Sequence, residues 1–124
     1  MNGDREALEL KAEGILAFDK GIRFVVVLSS DGRALAEVGR PGLAPLEPPG
    51  ESENIYVKAA IAVSMSAGMN RYHGPISAAI VIREKLTIVF FNLSSRMLLI
   101  STEPGFPLHR VEELGRLVDQ LGLA

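Results

Sequence analysis

The sequence predicts a domain of the α/β (α+β) class, with three α/β/α layers and the order αββαβββα around one five-stranded antiparallel sheet. Three stretches, at 4–19, 51–70 and 108–121, place apolar residues at helical spacing. Five other stretches are short, apolar and rich in β-branched residues, as strands are. Because most of these strands do not alternate apolar with polar residues, the helices must be divided between both faces of the sheet.

The N-terminal half predicts a helix followed by a β-hairpin and a loop. In the stretch 4–19, the apolar residues lie on one side of a helix and the glutamates on the other. The apolar runs 24–28 and 34–38 flank residues 30–33, whose Asp-Gly pair is typical of a tight hairpin turn. Residues 39–50 contain four of the seven prolines, which predicts a connecting loop.

The C-terminal half predicts a long helix, three strands and a last helix. The long helix covers 51–70, with Ser52 as its N-cap residue, and the Gly-Pro pair within 71–75 ends it. The three strands are 76–82, 86–93 and 97–102. Because only three residues separate each pair, the strands must form an antiparallel meander.

Composition predicts a globular chain and argues against two classes of partner. The 124 residues suit a single domain, 1–124, and 48% of them are hydrophobic, enough for a core. The net charge is −2, from 13 basic and 15 acidic residues, and no basic stripe predicts nucleic-acid binding. No polybasic run or long apolar segment predicts a membrane partner. The absence of cysteine is compatible with a cytoplasmic protein, which we expect.

No motif predicts catalysis, a cofactor or a metal. Neither Gly-x-x-x-x-Gly-Lys-Ser/Thr nor Gly-x-Gly-x-x-Gly is present, so the usual nucleotide-binding loops are missing. The two histidines, His73 and His109, have no histidine partner at i+4, and no cysteine could assist them. The serines of the predicted turns lie outside any Gly-x-Ser-x-Gly elbow. We therefore expect association and not enzymatic chemistry.

The helix at 51–70 is more apolar than one monomer requires. A helix that covers one face of a sheet needs an apolar stripe of about 100°, whereas this helix is apolar nearly all round. The strand 76–82 is apolar and uncharged, so it would form an unprotected sheet edge. A homodimer would bury both surfaces; the alternative is that the Pro-rich loop 39–50 covers the helix. The predicted dimer interface consists of Tyr56, Val57, Ala60, Ile61, Ser64, Met65, Gly68, Ile76, Ser77, Ala78, Ala79 and Ile80.

Several of these pieces resemble the roadblock/dynein light chain (LC7) domain. They are the strand 24–28 with Ser30-Asp31-Gly32, the small-residue helix at 51–70, and Met97-Leu98-Leu99-Ile100-Ser101-Thr102-Glu103-Pro104-Gly105, which resembles that family's final strand and turn. The resemblance covers nearly the whole chain. The chain is also similar to small uncharacterised archaeal proteins with an Arg-Glu-Lys turn such as Arg83-Glu84-Lys85.

The resemblance implies a homodimer whose second helices pack together and whose third strands join into one ten-stranded sheet. It also implies a non-catalytic regulator or scaffold for a small Ras-like GTPase or a motor complex. The long Pro-rich loop departs from the family's pattern. The charged turn of Arg83, Glu84 and Lys85 is a candidate partner surface, although such a turn is usually a solvated hairpin tip.

Profilin-like and PAS-like domains share a related layout in which one sheet face stays open to a ligand. The alternative function is therefore a small-molecule sensor, with a pocket between the sheet and a helix. Tyr56, Phe90, Phe91 and the Pro-rich loop would line that pocket. A ligand that binds the native state would raise the thermal stability of the chain.

Overall fold

A computed structural model describes residues 2–123 of the chain. Five strands form one antiparallel sheet and three long helices pack on it, which confirms the predicted α+β fold class. The elements are α1 (Asn2–Leu16), β1 (Ile22–Ser29), β2 (Ala34–Gly39), α2 (Glu51–Ser66), α3 (Asn70–His73), β3 (Ala78–Ile82), β4 (Thr87–Asn92), β5 (Arg96–Thr102) and α4 (His109–Leu121). Within the described residues, no helix has the length and apolar character needed to cross a membrane.

The strand order across the sheet is β2-β1-β5-β4-β3, and every neighbouring pair is antiparallel. The hairpin β1–β2 and the meander β3–β4–β5 form as the short connections predict. The long-range pairing joins β1 to β5, with Val25 opposite Ile100 and Val26 opposite Leu99. The sheet therefore begins at β2 and ends at β3, and β3 is an edge strand.

The helices divide between the two faces of the sheet, as the apolar strands require. Successive residues of a strand point to opposite faces, so β1 and β5 contribute to both cores. The core under α1 and α4 takes Val25, Val27, Leu98 and Ile100 from these strands. The core under α2 takes Val26, Leu28, Met97 and Leu99. The molecule has the predicted three layers, with two helices on one face and one on the other.

The long helix is shorter than predicted and has a different N-cap. It begins after Gly50, whose φ of 90° is left-handed, and no side chain caps it. Ser52 is not the N-cap residue, since its hydroxyl donates instead to Glu47 Oε1 at 2.8 Å. The helix ends at Ser66, whose hydroxyl bonds the Ala62 carbonyl, and a 3-10 turn (Ala67–Met69) leads into α3. Serine and glycine are weak helix formers, which explains the break before residue 70.

Candidate interaction surface and cavity

The inner face of α2 packs on its own sheet. Tyr56, Ala59 and Ala60 are buried against the core that β1 and β5 present to this helix. Two residues of the predicted dimer interface, Tyr56 and Ala60, therefore lie inside the protomer, and their contacts are with its own strands. Apolar periodicity alone could not separate the face that meets the sheet from the face that remains open.

The outer face of α2 is apolar and exposed. Val57, Ile61 and Met65 follow one another at four-residue intervals and are 44%, 51% and 79% exposed. Ser64 and Gly68, also predicted at the interface, are exposed beside them. The Pro-rich loop does not cover this face, because all three large side chains remain exposed in its presence. The alternative in which the loop hides the helix is therefore wrong.

The apolar exposure continues past the end of α2. Met69 and Tyr72 are 49% and 66% exposed, and the Arg71 guanidinium lies 4.9 Å from the centroid of the Tyr72 ring. Neither Met69 nor Tyr72 was predicted as an interface residue. The signal was present in the sequence, since Met69 follows Met65 by four residues and Tyr72 follows Met69 by three.

The strand β3 is an open edge. It pairs with β4 along one side, and no other described strand pairs with it. Its large side chains Ile80, Val81 and Ile82 are 40%, 39% and 68% exposed, although only Ile80 was predicted at the interface. Ala78 is exposed and Ala79 is half-buried. An apolar strand with free backbone groups is a template for pairing with another chain.

Ile76 and Ser77, the first predicted residues of this strand, precede β3. Asn92 binds both of them: its side-chain amide donates to the Ile76 carbonyl at 3.1 Å, and its backbone amide donates to the Ser77 carbonyl at 2.9 Å. Ser77 is exposed and Ile76 is half-buried. The predicted strand 76–82 is thus two residues too long at its start.

The other edge of the sheet is protected. The strand β2 has six residues and carries the exposed carboxylate of Glu37. Pro41 follows it two residues after its end. A charge on the strand and a proline close to its end discourage pairing between chains. The two edges therefore differ, and only the β3 edge is suited to association.

A cavity of about 700 Å³ lies on the α2 side of the sheet. Its floor is apolar and includes Val26, Ile88 and Leu99. The first turns of α2, the loop residues 45–47 and the β3–β4 turn at 83–86 surround it. The candidate partner surface of Arg83, Glu84 and Lys85 is therefore at the rim of this cavity. Arg83 and Lys85, with Lys58 of α2, place three cations there.

Hydrogen bonds of two side chains, Tyr56 and Arg23, organise the walls of the cavity. The Tyr56 hydroxyl donates to Glu37 Oε1 at 3.2 Å. Burial, with the nearby charge of Glu37, raises the pKa of the Tyr56 phenol, so the phenol stays protonated and remains a donor throughout the neutral range. The Arg23 guanidinium donates to Glu103 Oε1 at 3.0 Å and to the Ala44 carbonyl at 3.3 Å, which attaches the Pro-rich loop to β1.

The residues predicted to line a sensor pocket are only partly brought together. Tyr56 and the loop residues 45–47 line the cavity. Phe90 lies half-buried on the same face of the sheet without lining the cavity, and Phe91 is buried under α4 on the opposite face. Adjacent residues of one strand point to opposite faces, so Phe90 and Phe91 could not share a pocket.

The structure assembles no metal site in residues 2–123: no group of three or more His, Cys, Asp or Glu side chains could hold an ion there. His73 and His109 are both exposed, one at the end of α3 and the other at the start of α4. The expectation that the chain works without a metal or cofactor stays a prediction.

No protein-family model and no curated protein sequence matches the chain. Solved structures do match it. The gliding protein MglB from Thermus thermophilus is similar with a TM-score of 0.77 and 16% identity, over 94% of this chain and 86% of that chain. A Roadblock/LC7 domain from Streptomyces avermitilis has a TM-score of 0.68 and 14% identity, over 91% and 89% of the two chains. The chain has the roadblock/LC7 fold.

Two more structures refine this comparison. An MglB with a tetrameric arrangement is similar to the chain with a TM-score of 0.74 and 19% identity, over 94% of this chain and 85% of that one. Profilin II from Acanthamoeba castellanii has a TM-score of 0.63 and 12% identity, over 91% and 94%. The predicted likeness of the roadblock/LC7 fold to profilin is thereby confirmed. At these identities the likeness shows the fold alone, and the resemblance to small archaeal proteins stays a prediction.

Proposed function

We propose that the chain is a single-domain, non-catalytic and homodimeric interaction module that regulates or scaffolds a small Ras-like GTPase in the cytoplasm. The observation that carries the proposal is the exposed outer face of α2 together with the open edge of β3. Monomeric soluble proteins rarely expose large contiguous apolar patches, and such patches mark association sites. The roadblock/LC7 fold supports the same conclusion.

The proposed dimer joins like surfaces. The outer faces of the two α2 helices pack together, and the two β3 edges pair to make one ten-stranded sheet. Ala62 and Ser66 are small and exposed on α2, and they would allow close approach of the two helices. The tetrameric arrangement of one similar MglB supports self-association in proteins of this fold. Light scattering on the purified chain should give twice the 13.4 kDa mass at micromolar concentration, and a 13.4 kDa particle at that concentration contradicts the proposal.

The proposed partner surface is the turn of Arg83, Glu84 and Lys85, which is exposed at the end of β3. The double variant Arg83→Ala/Lys85→Ala should leave the protomer folded, because both side chains are exposed and neither supports the core. We expect it to slow association with a small GTPase and to remove most of the salt dependence, since exposed charges act mainly on the association rate. Surface plasmon resonance at two salt concentrations measures both quantities.

The control for that variant is Arg5→Ala, which removes an exposed charge from α1. Equal effects of the two changes would show that the turn is only a solvated hairpin tip. The purified chain alone should hydrolyse no nucleotide. Nucleotide hydrolysis that co-purifies with the chain would overturn the non-catalytic part of the proposal.

The second candidate function is a small-molecule sensor, and the cavity is the observation that favours it. Ligand sites commonly enclose roughly 300–1,000 Å³ and combine an apolar lining with a few polar groups, as this cavity of about 700 Å³ does. If the chain is a sensor, one metabolite of a thermal-shift screen should raise the melting temperature saturably, because it binds only the native state. The variant Leu99→Trp, which adds bulk to the cavity floor, should abolish that rise.

A further inference from the structure

The cavity and the exposed residues after α2 are complementary, and we propose that in the dimer each cavity is covered by Met69 and Tyr72 of the partner subunit. This inference rests on the proposed dimer and adds a specific reciprocal contact to it. Each protomer would both supply a covering segment and receive one. The occupant of the cavity mouth is therefore a second copy of this chain.

Within one protomer, the covering residues and the cavity wall lie at opposite ends of β3. The covering segment, residues 67–77, contains Met69 and Tyr72 and connects α2 to the first residue of β3. Residues 83–86 follow the last residue of β3 and border the cavity. Five strand residues span about 13 Å at a rise of about 3.3 Å per residue. Within one protomer, then, the covering segment enters β3 at one end and the cavity wall leaves it at the other.

Two-fold symmetry brings these ends together. The two α2 helices can meet on the same face of a continuous sheet only if the symmetry axis is perpendicular to that sheet. Such an axis pairs the two β3 strands antiparallel, so the start of one strand lies beside the end of the other. Residues 67–77 of the partner subunit then lie beside the turn at 83–86, at the mouth of the cavity.

The chemistry of the two surfaces agrees with this placement. The covering segment presents a flexible thioether at Met69 and an aromatic ring with a polar tip at Tyr72. The cavity offers an apolar floor at Ile88 and Leu99. A tyrosine buries its ring against apolar surface and keeps its hydroxyl near polar groups, which the rim of Lys58, Arg83 and Lys85 supplies. Without a partner, both surfaces would remain in water.

Cysteine pairs test the contact directly, because the chain contains no cysteine of its own. The double variant Tyr72→Cys/Leu86→Cys, treated with an oxidant or a short bismaleimide, should run as a covalent dimer of twice 13.4 kDa. The matched control is Tyr72→Cys/Leu108→Cys, because Leu108 is 53% exposed at the start of α4 on the other face of the sheet. The control should remain a monomer on a denaturing gel.

A second measurement does not depend on cross-linking geometry. Tyr72→Ala should raise the dissociation constant of the dimer by about tenfold or more, as truncation of a buried aromatic anchor does. Leu108→Ala, which truncates a side chain of similar exposure, should leave it unchanged. The inference is overturned if Tyr72→Ala and Leu108→Ala dimerise with equal strength and Tyr72→Cys/Leu86→Cys gives no covalent dimer. The proposed dimer would still stand in that case. If the unmodified chain is a monomer, the proposed dimer and the inference both fail.

Discussion

Met65→Asp should convert the dimer into a monomer. Met65 is 79% exposed on the outer face of α2, so the folded protomer loses no core contact when it is replaced. In the proposed dimer the new carboxylate would be buried against an apolar helix. An unpaired buried charge costs about 3–5 kcal/mol, which weakens association by roughly a hundredfold or more. Sedimentation equilibrium or light scattering across a concentration series measures the change.

The controls for Met65→Asp separate association from folding. Aspartate near a helix C-terminus is itself unfavourable by several tenths of a kcal/mol. Met65→Lys also buries a charge at the interface, but lysine suits that end of a helix, so it should dissociate the dimer without the helix penalty. Leu10→Asp changes a residue that is 75% exposed on α1 and should leave the dimer intact. A dimer of unchanged strength in both Met65 variants would exclude the outer face of α2 from the interface.

Gly32→Ala should cause a large loss of stability. Gly32 lies in the β1–β2 turn with φ +88°, where a Cβ would meet the Tyr56 carbonyl oxygen and the Val57 Cα, each at 2.8 Å. Both neighbours are backbone atoms of α2, so relief requires the helix to move. We expect a loss of about 3 kcal/mol or more, since left-handed strain alone costs about 1–2 kcal/mol. Urea unfolding followed by circular dichroism measures it.

Gly42→Ala is the matched control for this prediction. Gly42 has φ +83°, but no atom lies within 4 Å of its added Cβ. It therefore carries the same backbone strain without the collision, and we expect a loss of about 1–2 kcal/mol. Both substitutions should be measured in the Met65→Asp background, so that dimer dissociation does not enter the unfolding free energy. Equal losses for both glycines would show that the hairpin turn does not fix the position of α2.

Much of the fold could be predicted from the sequence because its signals are local. Apolar runs and tight turns located all five strands to within two residues at each end, and short connections established the hairpin and the meander. The pairing of β1 with β5 is different, since these strands are about seventy residues apart along the chain. Ser52 was wrongly predicted as the N-cap because the preference of serine for that position is only statistical. Here the Ser52 hydroxyl donates a hydrogen bond to Glu47.

The interaction surface could be predicted only in outline. The excess of apolar residues in α2 correctly indicated that part of the helix stays exposed, as Ile61 and Met65 do. Which side faces the sheet depends on the rotation of the helix about its axis, and this rotation buries Tyr56. The cavity was predicted only in part, through Tyr56 and the Pro-rich loop, because its lining comes from six separate stretches of the chain that only the tertiary fold brings together.

The difference between the two sheet edges limits how far strand pairing can extend. When two copies join through β3, both ends of the enlarged sheet are β2 strands, and these carry the carboxylate of Glu37. Growth by strand addition therefore terminates after one step, and no fibre can propagate along the sheet. Any larger assembly must form from complete dimers, through contacts between helices or turns and not through strand pairing.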